Sequence, residues 1–441
     1  LLTAPFLQPA IRESIARHHE RGCIQVNFNI SSAKFTLKLL VQYAKFTLKF
    51  LIQKHFFLSL LKKIMHISRI LREQIIEKLK KTDKAVIIYG ARQLGKTTLA
   101  KKIIKELRKK TLSINADQLK YIDVLSSRDL DKIKALVYGY EMLFIDEAQR
   151  IPDIGINLKI ILDELPGIKI LATGSSSFQL ANKVNEPLTG RKWSYSLFPV
   201  SLQELSAIYN PFELKEKTNE LLRFGSYPEV LTTINAKDKT DLINEIGNSY
   251  LYKDVLELST IRYPNKFRDL LKLLSFQTGS EVSILELSQN LSINRETVEN
   301  YLSLLEQSFI VFRLSGYSKN LRKEVAKRDK FYFYDLGIRN LVINNFKPLE
   351  DRDDVGALWE NFIIAERKKY LAYNGINAST CFWRTYTGAE IDYIEEIENI
   401  LHGFEIKYKK SESKPPATWI ETYKNSSFQT INKENYLEFL V

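Results

Sequence analysis

Gly90, Ala91, Arg92, Gln93, Leu94, Gly95, Lys96, Thr97 and Thr98 spell G-x-x-x-x-G-K-T-T, and the five residues before them, Ala85-Val-Ile-Ile-Tyr89, are apolar. Leu99, Ile103, Ile104 and Leu107 then recur at helical spacing. A strand entering a glycine-bounded loop that opens a helix is the setting in which this pattern cradles phosphates. The glycines let backbone N–H groups turn toward the β- and γ-phosphates, Lys96 adds a point charge, and Thr97 offers a hydroxyl to Mg²⁺. Taken alone, the chemistry is that of binding a nucleoside triphosphate such as ATP.

A second piece of the same chemistry lies fifty residues on. Met142-Leu-Phe-Ile-Asp146-Glu147 reads as a strand ending in two carboxylates. In this pattern Asp146 holds Mg²⁺ through water and Glu147 polarises the attacking water. A third apolar strand, Ile168-Lys-Ile-Leu-Ala172, ends in Thr173-Gly-Ser175-Ser176-Ser177. A hydroxyl there, Ser175 or Ser176, can orient the water or sense the γ-phosphate. Ser/Thr clusters after strands are otherwise ordinary caps.

The chain that must carry these residues is 441 residues long, room for two to four domains. Hydrophobic residues at 44% and charged residues at 27% suit a globular protein. Cys23 and Cys381 form no CxxC or Cys/His cluster, which argues against a disulfide framework or structural zinc and fits a reducing cytoplasm. The net charge of +13 is unevenly spread: residues 1–64 hold ten Lys/Arg against two Glu, which leaves +5 for the rest. That basic leader repeats Lys34-Phe-Thr-Leu-Lys38 as Lys45-Phe-Thr-Leu-Lys49. Lysines interrupt its apolar stretch, so no uncharged 18-residue span exists for a transmembrane helix. Two readings stand: a cationic amphipathic helix on a membrane surface, or sequence upstream of a working protein that starts at Met65. The second is preferred, because helix and phosphate loop follow Met65 at once.

A helix is expected over residues 67–80. Apolar strands at 85–89, 111–115, 142–146, 168–172 and about 195–198 alternate with helical stretches, which means a mainly parallel sheet wrapped by helices. Nucleotide belongs at the carboxyl ends of such strands. Residues 206–265 read as helical. Residues 266–340 read as a winged helix-turn-helix: helices at 267–276, 284–291 and 295–307, then strands at 310–314 and 331–334 flanking a basic tip. Val298, Tyr301, Leu302 and Leu305 face a core, leaving Arg295, Thr297 and Asn300 outward. For DNA, Arg295 and Asn300 would enter the major groove while Lys319, Arg322 and Lys323 meet phosphates. Glu296, Glu299 and Glu306 make this helix less basic than a strong DNA reader, so a protein-contact role stays open.

Residues 350–441 hold a second constellation. Glu360 lies in a helix, Asp392 on the strand Gly388-Ala-Glu-Ile-Asp392, and Glu405 and Lys407 two apart on the next strand, where alternate residues share a face. Two carboxylates that bind Mg²⁺ and a lysine that activates water would serve phosphodiester hydrolysis. A plain ion pair between Glu405 and Lys407 is the competing reading.

Together, residues 66–441 resemble a prokaryotic, often archaeal, family of AAA+-type P-loop ATPases that joins the ATPase to a winged helix and a C-terminal domain similar to PD-(D/E)xK nucleases. The likeness rests on residues 90–98, Phe144-Ile-Asp-Glu-Ala-Gln149, residues 171–176, Leu188-Thr-Gly-Arg191 with Phe198-Pro-Val-Ser-Leu202, Gly225-Ser-Tyr-Pro228, and residues 332–339. Ala91 stands where the family often has proline. The resemblance implies an α/β fold: a P-loop parallel sheet over residues 65–205, then the winged helix and a small restriction-endonuclease-like domain. It also implies Arg191 as a γ-phosphate arginine, Glu360, Asp392, Glu405 and Lys407 as the nuclease core, and leaves room for a homo-oligomer. The function this suggests is an ATP-driven switch or motor acting on nucleic acid, with an ATP-gated nuclease or a signalling-type scaffold as alternatives.

Overall fold

A computed structural model of the chain describes residues 67–174, 187–249, 251, 261–317 and 328–441. The basic leader, Ser175, Ser176, Lys319, Arg322 and Lys323 lie outside the described residues.

Helix α1 (Leu71–Lys81) leads into β1 (Ala85–Tyr89), and α2 (Lys96–Leu107) follows the glycine loop. Next come β2 (Thr111–Asn115), α3 (Leu119–Leu125), α4 (Leu130–Val137), β3 (Met142–Asp146), α5 (Ile154–Glu164), β4 (Lys169–Gly174) and β5 (Lys192–Ser196). The strands pair in parallel in the order β2-β3-β4-β1-β5. All five residues of β1 and the first four of β3 are buried. This is why their sequences are continuous apolar runs rather than alternating ones: helices cover both faces of a parallel sheet. Helix α1 starts at Leu71 rather than at residue 67. The Glu204 carboxylate accepts the Ile70 N–H at 3.1 Å and the Arg69 Nε–H at 2.9 Å, which holds residues 67–69 outside the helix.

Four short helices follow: α6 (Leu202–Ser206), α7 (Pro211–Phe224), α8 (Pro228–Thr232) and α9 (Ala236–Gly247). Ser201 with Glu204 and Asn210 with Glu213 form capping boxes at the starts of α6 and α7, each satisfying two end N–H groups reciprocally. Helices α10 (Pro264–Phe276), α11 (Ile284–Leu291) and α12 (Arg295–Gln307) come next, with β6 (Glu281–Val282) between the first two. Val298, Tyr301, Leu302, Leu304 and Leu305 of α12 are buried and Arg295 and Asn300 exposed, as the helical spacing requires.

Strands β7 (Val311–Gly316) and β8 (Asp329–Phe333) form an antiparallel pair. After α13 (Leu336–Val342) and the long α14 (Val355–Tyr373) come β9 (Ser379–Arg384), β10 (Glu390–Ile397), β11 (Ile400–Ile406), α15 (Ala417–Thr422), β12 (Ser426–Ile431) and α16 (Tyr436–Leu440). The end of β7 pairs in parallel with β9, Ser315 opposite Cys381 and Gly316 opposite Phe382. One seven-stranded sheet, β12-β11-β10-β9-β7-β8-β6, therefore runs across the boundary expected between residues 340 and 350. No helix of the described residues is long and apolar enough to cross a membrane.

Candidate nucleotide site

The loop between β1 and α2 is built by its two glycines. A Cβ on Gly90 would sit 2.3 Å from the carbonyl oxygen of Leu197, just past β5, so only glycine lets the loop pass there. Gly95 caps α2 at φ 86°, a left-handed conformation that L side chains adopt at a cost. Helix α2 then begins at Lys96, with its unpaired N–H groups and positive dipole end turned to the loop.

Lys96 is 5% exposed, and its Nζ donates to the carbonyls of Gly90 and Ala91, each at 2.8 Å. Burial is the main influence on this ammonium and lowers its pKa to about 8, against support from Glu147 and Asp146 and with Arg92 acting in the same direction as burial. An anion arriving in the loop would restore the charged form. Thr97 donates its hydroxyl to Asp146, 2.8 Å from Oδ2 and 3.0 Å from Oδ1. A hydroxyl and a carboxylate this close form the oxygen-only partial shell that Mg²⁺ takes up beside triphosphate oxygens. The described residues thus fit the metal: Thr97 and Asp146 would hold it.

Glu147 lies one residue past β3 at φ 55°, a left-handed conformation unusual for a non-glycine residue and found preferentially at functional sites. Its carboxylate accepts a hydrogen bond from the Gln149 side chain, and its N–H donates to Thr173 Oγ1 at 3.3 Å. Thr173, fully buried at the end of β4, donates its own hydroxyl to Asp146. Among the described residues the hydroxyl beside Asp146 and Glu147 is that of Thr173, two residues before Ser175, which with Ser176 lies outside them. The signal was visible in the sequence, since Thr173 heads that same polar run, but spacing alone does not say which hydroxyl points at β3.

The chain brings together the loop, Asp146 and Glu147, but not Arg191. Arg191 immediately precedes β5, and β5 runs parallel to β1 with Lys192 opposite Ala85. It therefore sits at the amino ends of the strands, about five residues or ~17 Å from the carboxyl ends where the loop lies. There its Nε pairs with Asp163 at 2.8 Å. The expected γ-phosphate role of Arg191 has no support within one chain.

Beside the loop lies a cavity of about 530 Å³, walled by Ile67, Leu94, Thr98, Leu99, Val200 and Pro228 among others. Its lining is partly apolar and it abuts the start of α2, a place suited to the flat base of a nucleotide. Arg69 closes one side. Its guanidinium donates to Leu94 O at 3.0 Å, Phe198 O at 2.5 Å and Tyr373 Oη at 3.3 Å, besides its pair with Glu204. Arg69 and Tyr373 belong to no pattern a sequence reader would single out, and their importance is visible only in three dimensions.

The second constellation is also assembled. Asp392 Oδ2 accepts the Ile406 N–H at 2.8 Å, Lys407 Nζ meets Glu405 Oε1 at 2.6 Å, and Tyr332 donates to Glu360 Oε1 at 2.7 Å. Burial pushes the Glu360 carboxyl up to about 7, and burial with the Glu405 charge pushes Asp392 to about 6. Yet among the described residues no group of three or more His, Cys, Asp or Glu could hold a metal ion. One oxygen of each of Glu360, Asp392 and Glu405 is taken up by a hydrogen bond or an ion pair.

Comparison with known proteins agrees with the first site. Residues 82–206 match the AAA domain family, residues 215–349 a domain of unknown function, DUF8612, and residues 355–432 another, DUF4143. The uncharacterized protein Rv2008c of Mycobacterium tuberculosis is 30% identical over 327 residues, 73% of this chain and 70% of that protein. The uncharacterized protein MJ1544 of Methanocaldococcus jannaschii is 25% identical over 331 residues, 71% of each. Among solved structures, the Walker-type ATPase PABY2304 of Pyrococcus abyssi aligns with a TM-score of 0.45 at 15% identity, covering 62% of this chain and 94% of that one.

Proposed function

Because the chain belongs to the family of AAA-domain proteins that includes Rv2008c of Mycobacterium tuberculosis, we propose that it is a Mg²⁺-dependent ATPase that hydrolyses ATP to ADP and phosphate as a switch or motor on nucleic acid. One observation carries the ATPase part. The Thr97 hydroxyl and the Asp146 carboxylate, from loop and β3, meet at 2.8 Å beside a lysine buried on the loop's own carbonyls. In this reading Lys96 leaves Gly90 O and Ala91 O for the β- and γ-phosphates, and the α2 amino end completes the anion cradle. Thr97 and Asp146 would hold Mg²⁺, which would supply charge neutralisation on the phosphates. Glu147, kept in place by Gln149, orients and polarises the water. Thr173 ties Asp146 to the Glu147 backbone, so the two carboxylates move as a unit.

The nucleic-acid part rests on α12, whose exposed face offers Arg295 and Asn300. Lys319, Arg322 and Lys323, outside the described residues, would add phosphate contacts. Glu296 and Glu299 share that exposed face and favour a second reading, contact with a protein partner. ATPase rate measured with and without duplex DNA across a salt series separates the two. Stimulation that fades with rising salt is expected of a nucleic-acid motor, because phosphate contacts release counterions. No stimulation and no DNA binding at low salt would refute it and favour the protein-contact reading. The ATP-gated nuclease receives least support, since the carboxylates of the second constellation are already engaged.

A further inference from the structure

The second constellation carries a cation of its own. Lys330, on β8, is 3% exposed, and its ammonium lies 2.5 Å from Glu390 Oε1 and 3.8 Å from Glu360 Oε1, with Phe382 beneath it at 5.0 Å. Burial opposes its charge, but Glu360, Glu390 and Asp392 together outweigh burial and keep it ionised. Glu390 and Asp392 come from β10 and Glu360 from α14, so the ammonium stands where three carboxylate-bearing positions face one another.

A hydrolytic Mg²⁺ needs several oxygens converging on one point at about 2.0–2.1 Å. Here the Lys330 ammonium already stands between Glu390 and Glu360, and other donors take up one oxygen each of Glu360, Asp392 and Glu405. Tyr332 holds Glu360 Oε1, the Ile406 N–H holds Asp392 Oδ2, and Lys407 holds Glu405. Gly279 leaves room for this carboxylate, since a Cβ there would be 3.0 Å from Glu360 Oε1. The residue that breaks the metal pattern comes from outside the motif: Lys330 precedes Glu390 by sixty residues and reaches the site only because β7 and β8 continue the sheet of β9 and β10.

We propose that Lys330 is the resident cation of this acidic cluster, that its ammonium closes the cluster to divalent metal ions, and that removing it creates a metal site. The cluster is thus an internally neutralised ion-pair network bridging β8, α14 and β10. The inference does not depend on ATP hydrolysis, and its test reads metal binding alone.

Mn²⁺ binding to the full-length chain, followed by electron paramagnetic resonance without nucleotide, tests it. In the wild-type background Asp392→Asn is expected to leave Mn²⁺ stoichiometry and affinity unchanged. Lys330→Met is expected to gain one Mn²⁺ per chain, tightened at least tenfold over wild type and lost again in Lys330→Met/Asp392→Asn. Lys330→Arg, which keeps the charge, is expected to gain none. A fall in wild-type Mn²⁺ binding on Asp392→Asn would overturn the proposal, as would a folded Lys330→Met that gains no site. If Lys330→Met does not fold, the wild-type and Asp392→Asn pair still decides.

Discussion

At the residue scale the molecule is defined by a few polar side chains buried where the phosphates of ATP would lie. Lys96 rests on Gly90 O and Ala91 O, and Thr97 and Thr173 both donate to Asp146. Thr173→Val keeps the shape but removes the hydroxyl that links Asp146 to the Glu147 backbone. Its turnover is expected to fall on the order of 10²-fold, the scale of a lost preorganised donor, with ATP affinity little changed. Steady-state kinetics with a separate nucleotide-binding titration checks this; unchanged turnover would remove Thr173 from the site. The loop, Asp146 and Glu147 were legible from sequence because their chemistry demands fixed residue types at fixed distances from apolar strands. Thr173 was not distinguished from Ser175, since strand register against β3 decides which hydroxyl is near. The place of Arg191 was not legible, because Gly-Arg before a strand says nothing of strand direction, and β5 runs the way that carries it away from the loop of its own chain.

At the element scale α14 is the member that joins the two sites. Glu360 near its start belongs to the acidic cluster, Asn361 exchanges two 2.8 Å hydrogen bonds with the Phe333 backbone, and Glu366 accepts the Leu202 N–H at 2.7 Å. Tyr373 at its end accepts from Phe198 N–H at 3.1 Å and from Arg69, on the wall of the base cavity. Tyr373→Phe leaves the Phe198 N–H and one guanidinium donor unpaired, a destabilisation of about 1–3 kcal/mol. A lower denaturant midpoint with a raised KM for ATP is expected, and a change in neither would show that this end of α14 is not coupled to the cavity. The start of the helix is pinned by charge. Burial alone would raise the Asp354 carboxyl, but hydrogen bonds and charge from Arg352 and Arg339 outweigh it and bring it down to about 2. A carboxyl depressed on folding stabilises above its unfolded pKa of about 3.9, and that stability is lost as pH falls through about 2. After discounting for solvent at this half-buried group, its contribution at pH 7 is on the order of 1–2 kcal/mol. Asp354→Asn is therefore expected to lower stability at pH 7 while flattening its loss between about pH 4 and pH 2. Unfolding measured across that range checks the sign; a variant that tracks wild type at every pH would contradict it. None of this was legible beforehand, for α14 shows no motif beyond Glu360, and the partners of Glu366 and Tyr373 are more than 150 residues away.

At the scale of the whole molecule two sheets divide the work. In the parallel sheet β1, β3 and β4 were readable as apolar runs punctuated by glycine or a polar tip, whereas β5 is the mixed Lys192-Trp-Ser-Tyr-Ser196 and begins before the expected 195–198. The sheet's order, with β1 between β4 and β5, follows from contacts no local pattern encodes. The second sheet shows the limit more sharply. The hairpin of β7 and β8 and the strands β9 to β11 were each legible, but their union depends on Ser315 and Gly316 meeting Cys381 and Phe382, sixty-six residues apart. That union also brings Lys330 to Glu390, and so turns a familiar carboxylate spacing into an ion-pair network. A chain ended before β9 would expose the edge of β7 and remove Tyr408 and Tyr436, the rings that pack against the buried Trp359 of α14. It is expected to lose the near-ultraviolet circular dichroism of residues 264–350, whereas two independent domains would retain it.

The central claim is that residues 90–97, Asp146 and Glu147 form one ATP-hydrolysing site. Single-turnover hydrolysis of ATP by Glu147→Gln beside Lys96→Ala, with nucleotide binding measured in parallel, tests it most directly. The expected result is that Glu147→Gln binds ATP with Mg²⁺ but hydrolyses it at least 10²-fold more slowly than wild type, while Lys96→Ala fails to bind. Hydrolysis at the wild-type rate in both variants would contradict the claim.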